Sequence, residues 1–136
     1  MSMQDRTSDL LTRIRNACMV KHDEVTLPFF KFGFNLCKLL KEQGYITDVA
    51  ETGEGATKKL VISLKYDKRS HRPIIGALRR ISRPGLRKYS GVGDIPRVQG
   101  GLGIMVVSTS LGELLTDHQA RQKGVGGELI CEVETD

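Results

Sequence analysis

The chain has 136 residues, 39% apolar and 27% charged, with a net charge of +5. That length suits one domain or two small ones packed together, and with no Trp and few other aromatics the core must be aliphatic. No apolar run nears the ~20 residues of a membrane span, and "MSMQDRTSD" lacks the cationic-then-apolar order of a signal peptide. A soluble, cytoplasmic chain with no membrane partner is expected.

"QDRTSDLLTRIRNACMV" predicts a helix with Leu10, Leu11, Ile14 and Cys18 on one apolar face, capped by Asp5 or a residue close to it. Thr12, Arg13, Arg15 and Asn16 fall off that stripe, as a solvated face or as a contact with phosphate. "EVTLP" predicts a short strand closed by Pro28. "FFKFGFNLCKLLKEQG" predicts a second amphipathic helix, with Phe29, Gly33, Leu36, Cys37 and Leu40 on one face and Gly44 as its stop. "YITDVA" and "KLVISLKY" flank a Gly-rich turn and predict a hairpin in which Leu60, Ile62 and Leu64 alternate inward. Residues 1–66 are therefore expected to form an N-terminal α-β-α-β-β domain.

"DKRSHRP" reads as a charged linker or loop ending at Pro73. "IIGALRRIS" has strand character, and "RPGLR" carries the Pro-Gly of a tight turn. "GVGDIPRVQGGLG" is glycine-rich punctuation with room for one helical turn near Asp94 to Val98. "IMVVSTS" predicts a strand buried on both faces, ending in Ser108, Thr109 and Ser110. "LTDHQARQKG" predicts a short helix capped by Thr116 or Asp117 and stopped by Gly124, and "GGELICEV" the last strand. The expected fold class is α+β: two small domains, the second, residues 67–136, mostly antiparallel β with short helices.

Cys18, Cys37 and Cys131 form no CxxC pair, so zinc, a redox dithiol or a disulfide framework is not indicated. Each is expected to be a small buried filler. "GGLGIMVV" precedes its strand, whereas a dinucleotide loop follows one, and "VVSTS" lacks the G-x-S-x-G elbow. His22, His71 and His118 are scattered. No cofactor, metal or enzyme activity is expected; the catalytic alternatives pair Ser108 with His118 or Asp117 with His118.

The charge is unevenly placed. Residues 1–57 hold seven Lys/Arg against eight Asp/Glu, a net of −1; residues 58–90 hold eleven against one, a net of +10. Residues 91–136 hold three against seven, a net of −4. Such a block is the footprint of a polyanion binder, although a solvated basic face has the same composition. Within it Arg83, Arg87 and Lys88 could neutralise phosphates, and Tyr89 offers a face for stacking a base. Ser108, Thr109 and Ser110 are compact donors and acceptors suited to a 2′-hydroxyl or a base edge. Their plainer roles are a core-capping tyrosine and a hydroxyl-stabilised turn. Glycines 124, 126 and 127 would let backbone approach a ligand closely.

"LLTRIRNA", "LKEQGYI", "RRISRPGLRKY", "GLGIMVVSTSLGELLTD" and "ARQKGVGGELIC" occur in this order. Together they closely resemble the bacterial small-subunit ribosomal protein S-eight family over essentially the whole chain. The resemblance implies a structural constituent of the small subunit that binds the central domain of 16S-type RNA and helps assemble the platform. It also implies neighbours S-five and S-twelve, a monomer within the subunit, and, as an alternative, repression of translation through the chain's own operon messenger. At matching positions Ser108, Thr109 and Ser110 form the hydroxyl loop that meets RNA, and Tyr89 takes the aromatic position. Gly126, Gly127 and Glu128 match the segment packed near that loop. Arg13, Arg15 and Lys31 would carry backbone contacts from the N-terminal domain. Two departures stand out. Phe30 replaces a serine at the start of the second helix, so a hydroxyl cap is lost and Phe29 and Phe30 are expected to face a partner protein. Glu132 and Glu134 replace aromatics in the last strand, where direct contact with RNA would be repulsive.

Overall fold

The structure, a computed structural model, describes residues 3–136. Three helices and two antiparallel sheets make it α+β, as expected. The described residues divide into two compact units: one reaches to Ile75 and takes in Asp136, and the other is Gly76–Thr135. Residues 67–75, joined to the second domain by the sequence reading, lie in the first unit, where Tyr66 bridges to Pro73 and the Ile74 amide donates to the Lys65 carbonyl.

The first unit runs α1 (Met3–Met19), β1 (Glu24–Pro28), α2 (Lys31–Glu42), β2 (Ile46–Thr52) and β3 (Lys59–Leu64). The sheet order is β1-β3-β2. Leu60, Ile62 and Leu64 of the central strand are buried, as their alternation requires. From the helices Leu10, Leu11, Ile14, Leu36, Cys37 and Leu40 are fully buried. Each large aliphatic so removed from water contributes roughly 1.5–3 kcal/mol.

Three local expectations change. The inward stripe of α1 ends on Ala17, and Cys18 is only half-buried, because Leu10, Ile14 and Ala17 hold the four-then-three spacing of one face. Asp5 lies inside the first turn of a helix that starts at Met3, and the cap position itself lies outside the described residues. Phe29 precedes α2 and is half-exposed, while Phe30 sits at its N-cap with extended backbone and no side-chain cap.

The second unit runs β4 (Ile75–Arg80), β5 (Tyr89–Ser90), β6 (Ile104–Thr109), β7 (Leu114–Thr116), α3 (Asp117–Lys123) and β8 (Gly127–Thr135), β4 entering it from Ile75. The strand order is β4-β8-β6-β7, with β5 also on β8. A capping box starts α3, since the Gln119 amide donates to Thr116 Oγ1 and the Thr116 amide to Gln119 Oε1. Gly124, left-handed at φ 70°, ends it.

Asp117 is fully buried. The Met105 amide donates to its Oδ1 at 3.1 Å, and Arg121 Nη1 to its Oδ2 at 2.7 Å. Arg121 Nη2 reaches the Ile95 and Pro96 carbonyls at 3.0 and 3.3 Å. Asp117 thereby ties α3 to β6 and to the 95–96 segment.

The helical turn expected near Asp94 to Val98 forms slightly earlier, as a 3-10 turn at Val92–Asp94, and a second 3-10 turn follows at Gln99–Gly101. Pro96 holds Ile95 in an extended conformation. Ile95 and Val98 join Met105, Val107, Leu115, Ala120 and Leu129 in a core cluster. No helix of the described residues is long and apolar enough to cross a membrane.

Candidate nucleic-acid interface

Strand register gathers the site. Val107 pairs with Leu115 and with Leu129, and all three point into the core. On the next rung Ser108 pairs with Leu114 and with Glu128, and Glu128 pairs with Tyr89. Alternation places Leu114, Ser108, Glu128 and Tyr89 in a row on the opposite face. Directly paired residues in such a row hold their Cβ atoms about 5 Å apart. Tyr89 is 69% exposed, so its ring does not cap the core.

Gly126 and Gly127 serve the sheet itself. A Cβ on Gly127 would lie far inside van der Waals contact of the Ser108 carbonyl, and one on Gly126 would do the same to the Ser90 carbonyl. These glycines let backbone approach backbone, which pulls β5, β8 and β6 together beneath the row. Gly124 has open space around it and is needed only for its left-handed conformation.

The hydroxyl triplet splits. Ser108 and Thr109 end β6, and only Ser110 lies in the turn. Ser108 is half-exposed and Ser110 exposed. Thr109 is 8% exposed, and its Oγ1 is covered without a hydrogen-bond partner. Thr109 therefore does not present its hydroxyl beside the two serines. The turn closes through Gly112 N donating to Thr109 O at 3.0 Å, which leaves Ser110 and Leu111 at the tip.

The cationic segment is a clamped loop. Arg83 and Leu86 exchange two backbone bonds of 3.0 Å around Pro84 and Gly85, whose φ of 79° fits the turn. Buried Ser82 closes the base: its Oγ accepts from the Lys88 amide at 2.9 Å and donates to the Lys88 carbonyl at 3.2 Å. The sequence reading missed this serine, whose one local signal is its place just before the Arg-Pro-Gly turn. Arg83, Arg87 and Lys88 project from the loop, exposed. Arg87 pairs with Glu128 at 3.1 Å. Arg79 holds both Glu132 and Glu134, at 3.2 and 3.0 Å, and the two carboxylates, Glu134 first, raise its already high pKa. The tail acids thus pair with β4 across the sheet.

In the first unit Arg13 pairs with Asp9 and donates to the Thr26 carbonyl at 2.9 Å, so part of its guanidinium is committed to the fold. Arg15 and Lys31 are exposed at α1 and at the start of α2. Phe30 does not face a partner. It is buried, because its ring lies across Gly33, where an added Cβ would come within 2.5 Å of Cε1. Phe29 remains half-exposed, its ring centroid 6.0 Å from that of Phe34 and 4.1 Å below Lys58 Nζ.

His118 is exposed on α3, and among the described residues no hydrogen bond joins it to Ser108. Residues 5–133 match the family model described as Ribosomal protein S8. The "Small ribosomal subunit protein uS8" of Synechocystis sp. is 50% identical over 131 residues, 96% of this chain and 98% of that protein. Those of Gloeothece citriformis and Rubrobacter xylanophilus are each 51% identical over the same length and shares. Matched along nearly its whole length by constituents of the ribosome, the chain belongs to the Ribosomal protein S8 family and is a non-enzymatic protein of the small ribosomal subunit.

Proposed function

We propose that the chain binds the central domain of 16S-type RNA and helps organise the platform, reading the RNA with the face that carries Ser108 and Tyr89. The observation that carries this is the single row Tyr89–Glu128–Ser108, turned away from the core beside an exposed cationic loop. A-form RNA hides its base edges in a deep groove, so a protein reads a distorted helix through its shallow groove, its 2′-hydroxyls and its displaced bases. Short hydroxyls on a strand held from behind by core residues fit that task, and Tyr89 can stack on a displaced base. Arg83, Arg87 and Lys88 add salt-dependent attraction without selection. Gly126 and Gly127 act by setting the strand spacing, and Arg13, Arg15 and Lys31 add backbone contacts from the first unit. Association with S-five and S-twelve, and binding to the chain's own operon messenger, follow from the family resemblance alone.

The test is competition binding with a central-domain RNA fragment against an arbitrary stem. Ser108→Ala with Ser110→Ala should weaken the cognate fragment by ~1–3 kcal/mol per lost contact, by analogy with base readout in DNA, and leave the salt slope unchanged. Arg83→Ala should weaken every RNA and flatten the slope. Thr109→Val, which removes only the covered hydroxyl, should bind as the parent does. Equal loss for cognate and arbitrary stems in the serine variant would sink this division of labour.

A further inference from the structure

The segment between β3 and β4 is more ordered than its composition demands. The Asp67 carboxylate accepts from the Arg69 and Ser70 amides, both at 2.9 Å. The Asp67 amide donates to the Arg72 carbonyl at 2.8 Å, and the His71 amide returns to the Asp67 carbonyl at 2.9 Å. Ser70 Oγ takes the Arg72 amide at 3.3 Å. At the base, Tyr66 Oη donates to the His22 carbonyl at 2.6 Å, anchoring the loop to the connection between α1 and β1. A tyrosine hydroxyl is protonated at neutral pH, and burial raises the Tyr66 pKa further.

Two features mark this loop. His71 is held at φ 59°, a left-handed conformation that costs a non-glycine residue about 1–2 kcal/mol. The one acid of the loop turns inward to backbone amides, while Lys65, Lys68, Arg69 and Arg72 are all exposed, with no ion pair among the described residues. A merely solubilising loop gains nothing from order. A loop that grips a charged polymer does, because ordering before binding removes that entropic cost from association.

We propose that residues 65–72 form a preordered clamp for the phosphate backbone of small-subunit RNA, a second contact made by the first unit, with Asp67 as its positioning residue and Lys68, Arg69 and Arg72 as its phosphate ligands. The proposal rests on the RNA-binding reading above. It separates from a diffuse positive field at Asp67, because removing that carboxylate raises the net charge by one while loosening the loop.

The experiment uses the full chain and a central-domain 16S-type RNA fragment, titrated across salt and footprinted with hydroxyl radicals. Lys68→Ala/Arg69→Ala/Arg72→Ala should lose one protected backbone patch. Each phosphate contact removed should shrink the fall in affinity between 50 and 200 mM salt by about three-fold. The preference for cognate over arbitrary stem should persist. Asp67→Ala should bind several-fold more weakly despite its extra positive charge, with faster exchange of the Arg69 and Ser70 amides and an unchanged thermal midpoint. Tighter binding by Asp67→Ala, or an unchanged slope and footprint in the triple variant, overturns the clamp and leaves the cations to an acidic protein neighbour. Loss of all preference in the parent chain would instead be a failure of the RNA-reading face.

Discussion

Glu128 stands between Tyr89 and Ser108 on one rung and holds Arg87 at 3.1 Å. On the proposed RNA-reading face, a carboxylate at this position would restrain the nearest guanidinium and penalise phosphates that approach out of register. Glu128→Gln should therefore raise affinity for arbitrary stems, steepen the salt slope by about one, and lower the ratio of cognate to arbitrary binding. Since the pair is partly exposed, stability should change by no more than about 1 kcal/mol. Salt titration of both RNAs is the readout, and an unchanged slope would show that Arg87 is not held back by this partner.

Gly127→Ala should be among the costliest single substitutions in the second unit. Its Cβ would meet the Ser108 carbonyl, which is backbone and can only yield by separating β6 from β8. Overpacking of this kind costs roughly 1–3 kcal/mol, more where backbone must move. Gly124→Ala has open space and should lose only the ~1 kcal/mol of a strained left-handed cap. Urea unfolding of the two variants compares them directly, and equal midpoints would refute the close-approach account.

The longer elements were legible because their periodicity is local: the apolar stripe of α1, the alternation of β3, and the "TDHQARQKG" frame of α3 each contain their own start or stop. What escaped the sequence depends on pairings far along the chain. Tyr89–Ser90 and Leu114–Thr116 are too short to show alternation, and become strands only because β8 and β6 offer them an edge. The inward turn of Thr109 follows from register, which no run of three hydroxyls reveals. Glu132 and Glu134 find Arg79 only because β4 is the neighbour of β8. The candidate residues of the second unit could be picked out as types, but their arrangement in a row could not.

Phe30 and Gly33 should behave as one coupled pair. Gly33→Ala gains up to ~1 kcal/mol in helix propensity but drives a Cβ to 2.5 Å from the Phe30 ring. With the ring buried, net destabilisation of about 1 kcal/mol is expected. Phe30→Ser removes a core aromatic, a loss of ~3–5 kcal/mol, against ~1 kcal/mol regained by a hydroxyl at the N-cap. In that background Gly33→Ala meets no ring and should become stabilising. A double-mutant cycle measured by denaturant unfolding should give a coupling of about 1–2 kcal/mol, and additivity would mean that the ring moves aside freely.

The cysteines set an alkaline limit on the fold. Burial pushes the Cys131 thiol from its ordinary 9.0 up to about 12, and raises Cys18 as well. A thiol whose pKa is raised on folding favours the folded state fully while it is neutral in both states, below the unfolded value near 9. As pH rises further, only the unfolded chain ionises, so stability should fall steadily between about pH 9 and pH 12. Cys131→Ala, which leaves a small cavity at neutral pH, should narrow its deficit against the parent over that window because its own thiolate term is gone. In the native protein at pH 8, half-buried Cys18 should react with a maleimide first, with Cys37 and Cys131 following only through unfolding. Prompt labelling of Cys131 would show that β8 opens locally, and the alkaline loss of stability would then vanish from the Cys131 comparison.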